Sequence, residues 1–257
     1  MRRIGISVAF AILSLAAWAQ VQFSGLPPED FVLILTFDEG KGETLVDHSR
    51  YGHDLNLVVG NAKWVDGKNG KAMEFDGATA FQTPKTDVLA SFVDTISVGA
   101  WVKPIAMNSW TNLVEMDGTG NTEANHAWKV GFRDRQLVFT TYWVKDHFST
   151  GTLNLDEWQH VAYVFDGAEA RFYINGQLDS VDVGAGILET NVDAVSSLDI
   201  GWRKSSQASY LNAVVDELWV SMEAKSDQEI AQLAGGIVLS VDPQGKLTTT
   251  WGGLKSR

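Results

Sequence analysis

The stretch Val114-Glu115-Met116-Asp117-Gly118-Thr119-Gly120-Asn121-Thr122-Glu123 sets two carboxylates at Glu-x-Asp spacing, with a third beyond them. Side chains alternate across a strand, so Glu115 and Asp117 share a face. Retaining glycoside hydrolysis needs a nucleophile and an acid/base about 5 Å apart, which Glu-x-Asp-x-Glu on one strand supplies. Here the third position is Thr119, or Gly120 in the longer variant, and Glu123 follows a Gly-Thr-Gly-Asn loop that ends the strand. The acid/base is therefore missing from the expected face, and no catalytic residue is assigned. Asp117 to Asn121 is not an EF-hand loop either, because position six is Thr122 and position twelve is Trp128. G-x-S-x-G, G-x-x-x-x-G-K-[ST], H-E-x-x-H and G-x-G-x-x-G are all absent.

The elements that would position these residues are short runs rich in Val, Ile, Phe, Tyr and Trp, separated by Gly, Asn and Asp. Such runs fall at 32–37, 72–75, 96–102, 111–116, 128–132, 136–143, 159–165, 170–174, 197–200 and 213–220. Asp166-Gly167 and Asn175-Gly176 between neighbouring runs read as hairpin turns. Ser226-Asp227-Gln228-Glu229 is a capping box that opens one short C-terminal helix, ended by Gly235-Gly236. Many strands and almost no helix predict an all-β fold, a two-sheet antiparallel sandwich of jelly-roll type. His160, on the same face as Trp158, reads as a hydrogen-bonded histidine of the sandwich.

Composition, at 45% hydrophobic and 20% charged, is that of a globular chain. Residues 1–19 run from Arg2-Arg3 through an apolar stretch to Ala17-Trp18-Ala19, the pattern of a secretory signal peptide and too short to prefer a membrane span. Residues 20–29 are a lead-in, 30–241 the domain and 242–257 a polar tail containing Lys246, Lys255 and Arg257. The expected location is secreted, periplasmic or cell-surface, with no membrane insertion after signal removal. A net charge of −12 repels nucleic acid and suits a hard cation. There is no cysteine, so neither disulfides nor thiol chemistry contribute, and stability must come from one core.

Ordered landmarks then accumulate. Leu35-Thr36-Phe37-Asp38-Glu39-Gly40 precedes Asp47-His48-Ser49-Arg50-Tyr51-Gly52, Met73-Glu74-Phe75-Asp76-Gly77 and Ile96-Ser97-Val98-Gly99-Ala100-Trp101-Val102. Glu157-Trp158-Gln159-His160-Val161, Phe172-Tyr173-Ile174-Asn175-Gly176, Leu198-Asp199-Ile200-Gly201 and Val215-Asp216-Glu217-Leu218 complete the series. Over residues 30–234 the chain resembles the laminin-G-like family of concanavalin A-like lectin/glucanase domains. The resemblance implies a jelly roll and a structural calcium where the first and last strands meet, with Asp38 and Asp216 as ligands and a carbonyl from the Asp76-Gly77 turn. It also supplies most of the expectation that the partner is an extracellular or cell-surface glycan.

Ten tryptophans are many for one core. Trp110, Trp128, Trp143, Trp202 and Tyr210, at strand ends or near loops, are the candidate sugar-stacking rings. Arg203 is the polar candidate beside them, with Asn121, Asn125, His126 and Arg133 available to accompany it. The sequence thus points to a secreted, non-catalytic carbohydrate-binding module. A glycoside hydrolase or lyase of the same fold, using Glu115, Asp117 and Glu123, and an adhesive protein-binding domain are the alternatives.

Overall fold

The computed structural model describes residues 20–22, 26, 28–92, 94–107, 109–118, 126–141, 144–184, 188 and 195–240. The expected signal peptide, the tail, Asn121, Glu123, Asn125, Trp143 and the side chain of His126 lie outside the described residues. In chain order the strands are β1 (Gln20–Gln22), β2 (Phe31–Leu35), β3 (Thr44–Leu45), β4 (Leu55–Val59), β5 (Lys63–Asp66) and β6 (Lys71–Asp76). Then come β7 (Ala80–Pro84), β8 (Ile96–Pro104), β9 (Trp110–Asp117), β10 (His126–Arg133), β11 (Gln136–Thr141) and β12 (Lys145–Thr152). The series ends with β13 (Gln159–Phe165), β14 (Glu169–Ile174), β15 (Gln177–Val183), β16 (Ser197–Ile200), β17 (Asn212–Ser221) and β18 (Val238–Ser240). Among the described residues one α-helix, α1 (Asp227–Leu233), precedes β18 and carries the expected capping box between Ser226 and Glu229.

Two antiparallel sheets form the sandwich. The first runs β12-β11-β10-β9-β16-β7-β4-β3 and the second β15-β14-β13-β8-β17-β6-β5, with β2 also paired to β17. Alternation decides what lies between them: Val98, Ala100 and Val102 of β8 and Val161, Tyr163 and Phe165 of β13 meet Val114, Met116, Trp128, Val130 and Phe132 of the first sheet. The hairpin turn at Asn175-Gly176 takes positive φ at both residues, as the dipeptide predicts.

The two outer faces differ. On the second sheet, Ile230 and Leu233 of α1 pack on Phe31, Ile34, Ala162, Val164, Tyr173 and Trp219. Gly99 makes this possible, since a Cβ there would collide with the Trp219 indole. Among the described residues no α-helix lies over the first sheet. Its outer side is polar and is crossed by the segment 201–210.

His160 departs from expectation. It lies on the outer side of β13, edge-on to Trp101 at 5.7 Å, and neither ring nitrogen has a protein hydrogen-bond partner. Burial pushes its pKa down to about 3, below the usual 6.5. Between those values the unfolded chain binds the proton and the folded chain does not, so stability is full above pH 6.5 and falls as pH drops below it. Denaturant unfolding of wild type and His160→Phe from pH 8 to pH 4 should show this loss in the wild type and a shallower one in the variant. Equal slopes would contradict it.

Candidate functional site

Successive strand registers align one row across the outer side of the first sheet. Gln82 (β7), Asp199 (β16), Glu115 (β9), Lys129 (β10), Thr140 (β11) and Asp146 (β12) stand opposite one another in turn. Alternation puts them there, because their neighbours Leu198, Val114, Met116 and Val130 point into the core.

The central carboxylates of the row, Asp199 and Glu115, are fully buried and held by protein donors, while Asp146 at its end is exposed. Asp199 accepts from Ser197 Oγ at 2.7 Å, Gln82 Nε2 at 2.7 Å and Trp202 Nε1 at 3.2 Å. Burial raises its pKa against those hydrogen bonds. Glu115 accepts from Asn112 Nδ2, and Arg203 Nε lies 4.0 Å from its other oxygen. Asp117, one alternation along, accepts from the backbone N–H of Gly118 at 2.6 Å and of Ser205 at 2.8 Å. Lys129 is also buried, which lowers its pKa against the opposing pull of Glu115.

The 201–210 segment is built to lie across this row. A bridge between Arg203 and Ala208 encloses a 3-10 turn at Lys204–Ser206, and Gln207 and Ser209 adopt positive φ. Ser209 accepts from the Asn112 N–H, and Lys204 Nζ donates to Ser196 and Ser197. Trp202 is held over Asp199 with its ring 5.7 Å from that of half-buried Tyr210. At the other side, half-buried Trp110 has Lys129 Nζ 4.5 Å and Arg133 Cζ 5.2 Å from its ring centre, with Phe148 edge-on at 6.0 Å.

Four of the sequence-derived ligand candidates, Trp110, Trp202, Tyr210 and Arg203, therefore belong to this one face, joined by Arg133. Trp128 does not. It is fully buried in the core, edge-on to Phe92 at 5.5 Å, because it shares strand parity with Val130 and Phe132. Asp199, Lys129 and Asn112 were not among the candidates. An acid between Leu198 and Ile200, and a lysine between Trp128 and Val130, were the available signals: a polar side chain opposite a core-facing pair.

A second polar cluster lies in the other sheet. β17 pairs with β6 through Val215 and with β2 from Leu218, and the bulge between them holds Asp216 and Glu217, the latter at φ +48°. The loop from Gly67 to Gly70 packs against this bulge. Asp216 accepts from the Asn69 N–H at 2.9 Å, Glu217 from Asn69 Nδ2 at 2.9 Å, and Asp38 from the Lys71 N–H at 2.9 Å. Gly70 must be glycine: its φ is +60° and a Cβ would collide with the Asp38 carboxylate. Asp216 Oδ1 and Glu217 Oε2 are buried without a hydrogen-bond partner. Burial, helped by the Glu217 charge, pushes the Asp216 pKa up to about 7.

This donor set fits a hard cation in chemistry, with carboxylate oxygens left over and loop carbonyls nearby. Among the described residues, no three His, Asp or Glu side chains converge at metal-ligand spacing, so carbonyls and water would have to supply the remainder. The structure brings Asp38 and Asp216 to the same loop and adds Glu217. Gly77 is corrected: it follows the far end of β6, roughly 20 Å of strand away from the loop, and packs on Asn212.

Among the described residues no helix is long and apolar enough to cross a membrane. No curated protein sequence matches the chain. Domain 4 of a GH43 extracellular arabinanase from Geobacillus stearothermophilus, in complex with arabinotriose, is similar with a TM-score of 0.64 and 18% identity over 80% of this chain and 98% of that one. The binding domain of Paraclostridial Mosquitocidal Protein 1 gives 0.62 and 16% over 80% of this chain and 52% of that one. Botulinum neurotoxin type C, whose cell entry depends on interaction with two ganglioside molecules, gives 0.59 and 13% over 81% and 51%. The chain thus spans about half the length of these toxin structures, and at such identities the likeness shows the fold. The family model for the concanavalin A-like lectin/glucanases superfamily matches residues 75–231, more than half of the sequence and all of the strands that carry the polar row, and the chain belongs to that superfamily.

Proposed function

We propose that the chain is a secreted, non-catalytic carbohydrate-binding module whose site is the outer face of the first sheet. The observation that carries this is the convergence of Trp110, Trp202, Tyr210 and Arg203 on the cross-strand row, on the face that no α-helix among the described residues covers. Two similar structures support it in kind, one holding arabinotriose and one depending on gangliosides. The non-catalytic part rests on the carboxylates. Glu115 is buried against Asn112 and Arg203, and Asp117 caps two backbone N–H groups, so both have structural work of their own.

Tyr210 is the ring placed for sugar stacking, since Lys129 and Arg133 lie over Trp110 and Trp202 is nearly enclosed. Screening the protein on a glycan panel should give a ligand, and Tyr210→Ala should weaken it about tenfold while leaving the melting temperature near that of wild type. A panel without any bound glycan would overturn the reading. We also propose a calcium ion held by Asp38, Asp216 and Glu217 with loop carbonyls, serving to fix the Gly67–Gly70 loop on the bulge.

A further inference from the structure

We propose that the outer face of the first sheet selects anionic glycans, those whose sugar units carry a carboxylate or a sulfate ester. This rests on the glycan reading above and narrows it. The face is layered. Its acids, Glu115, Asp117 and Asp199, lie beneath and are fully buried. Its cations lie above them: Arg203 and Lys204 are half-buried and Arg133 is exposed.

Each cation is aimed by what lies below or beside it. Glu115 draws Arg203, Ser196 and Ser197 hold Lys204 Nζ at 2.8 and 3.0 Å, and the Arg133 guanidinium lies over the rings of Trp110 and Phe148. Among the described residues, the acids that do face solvent here stand at the margins. Asp134 lies 3.9 Å from Arg133 in the turn after β10, and Asp146 is on the edge strand, accepting from Thr140 at 2.5 Å.

Burial has thus removed the acids from a ligand's reach and left guanidinium and ammonium groups at the surface, on a chain whose net charge is −12. A planar guanidinium suits a carboxylate or sulfate in bidentate contact. A carboxylate or sulfate returns a charge-assisted hydrogen bond to these cations, about twice as strong as the one a neutral sugar hydroxyl returns.

The test measures binding of the purified protein to oligosaccharides of alginate, homogalacturonan and a sulfated galactan, each paired with its carboxyl-reduced or desulfated counterpart. At least one anionic member should bind roughly tenfold or more tighter than its neutral partner, with affinity falling as salt rises. The carboxylate and sulfate arms identify which anion is read. Arg203→Gln should bring the two members of the pair together. Arg133→Gln, at an exposed position, should do so in part and keeps the test decisive if loss of the Arg203–Glu115 contact impairs folding. Neutral members binding as tightly as anionic ones would overturn the proposal and leave the glycan reading intact. Failure of every glycan, charged or neutral, would overturn both.

Discussion

Trp128→Ala should lower the stability of the fold by about 3 to 5 kcal/mol, the cost of emptying a large, fully packed aromatic site. Trp128 has no accessible surface, meets Phe92 edge-on and lies in the layer shared with Val130 and Phe132. A ligand-binding tryptophan would behave in the opposite way, losing affinity at constant stability. Chemical denaturation of wild type and variant separates the two. A midpoint shift below what about 1 kcal/mol produces, together with lost glycan affinity, would return Trp128 to the site.

Calcium should raise the melting temperature with the logarithm of its excess, with a contribution of about 4 kcal/mol when it is a thousandfold above its dissociation constant. The Asp38→Ala, Asp216→Ala double variant should lose this response. The effect should also depend on pH in a fixed direction. Asp216 has a folded pKa near 7, above its ordinary 3.8, so without metal the carboxyl favours folding in its protonated form. That contribution is full below 3.8 and is lost as pH rises through 7. Calcium needs the ionised form and supplies the missing counter-charge, so its stabilisation should be larger at pH 8 than at pH 5. Melts in calcium and in chelator at both values decide it. Identical wild-type curves with and without calcium would remove the metal from the account.

Much of the fold is written in local pattern. β13 and β16 carry uninterrupted buried residues, and their bounds follow from the apolar runs at 159–165 and 197–200. The capping box and the Asn175-Gly176 turn are local chemistry and form as read. Strands at or near the sheet margins are harder to see. β5 and β15 bury little, so their alternation is polar and half-buried, and their pairing comes from the neighbouring strand. β7 ends in Pro84, which argues against a strand although the ladder holds it through Phe81 and Thr83.

The site was legible only in part for a related reason. Trp202, Tyr210 and Arg203 sit in one segment beside a strand, where aromatic and cationic residues are conspicuous. Lys129 and Asp199 gain meaning only when β10 and β16 flank β9 and place both beside Glu115. The orphan oxygens of Asp216 and Glu217 likewise arise from a bulge that no local pattern announces.

The most direct test of the central claim compares glycan affinity in wild type, Tyr210→Ala on the outer face of the first sheet, and Trp101→Ala on the outer side of the second. Trp101 is also half-buried and has a lysine, Lys68, 4.4 Å from its ring centre, so it is a matched control on the opposite side of the sandwich. Tyr210→Ala should lose about tenfold in affinity, and Trp101→Ala should keep wild-type affinity. Loss of binding in Trp101→Ala with full affinity in Tyr210→Ala would place the site on the other sheet and contradict it.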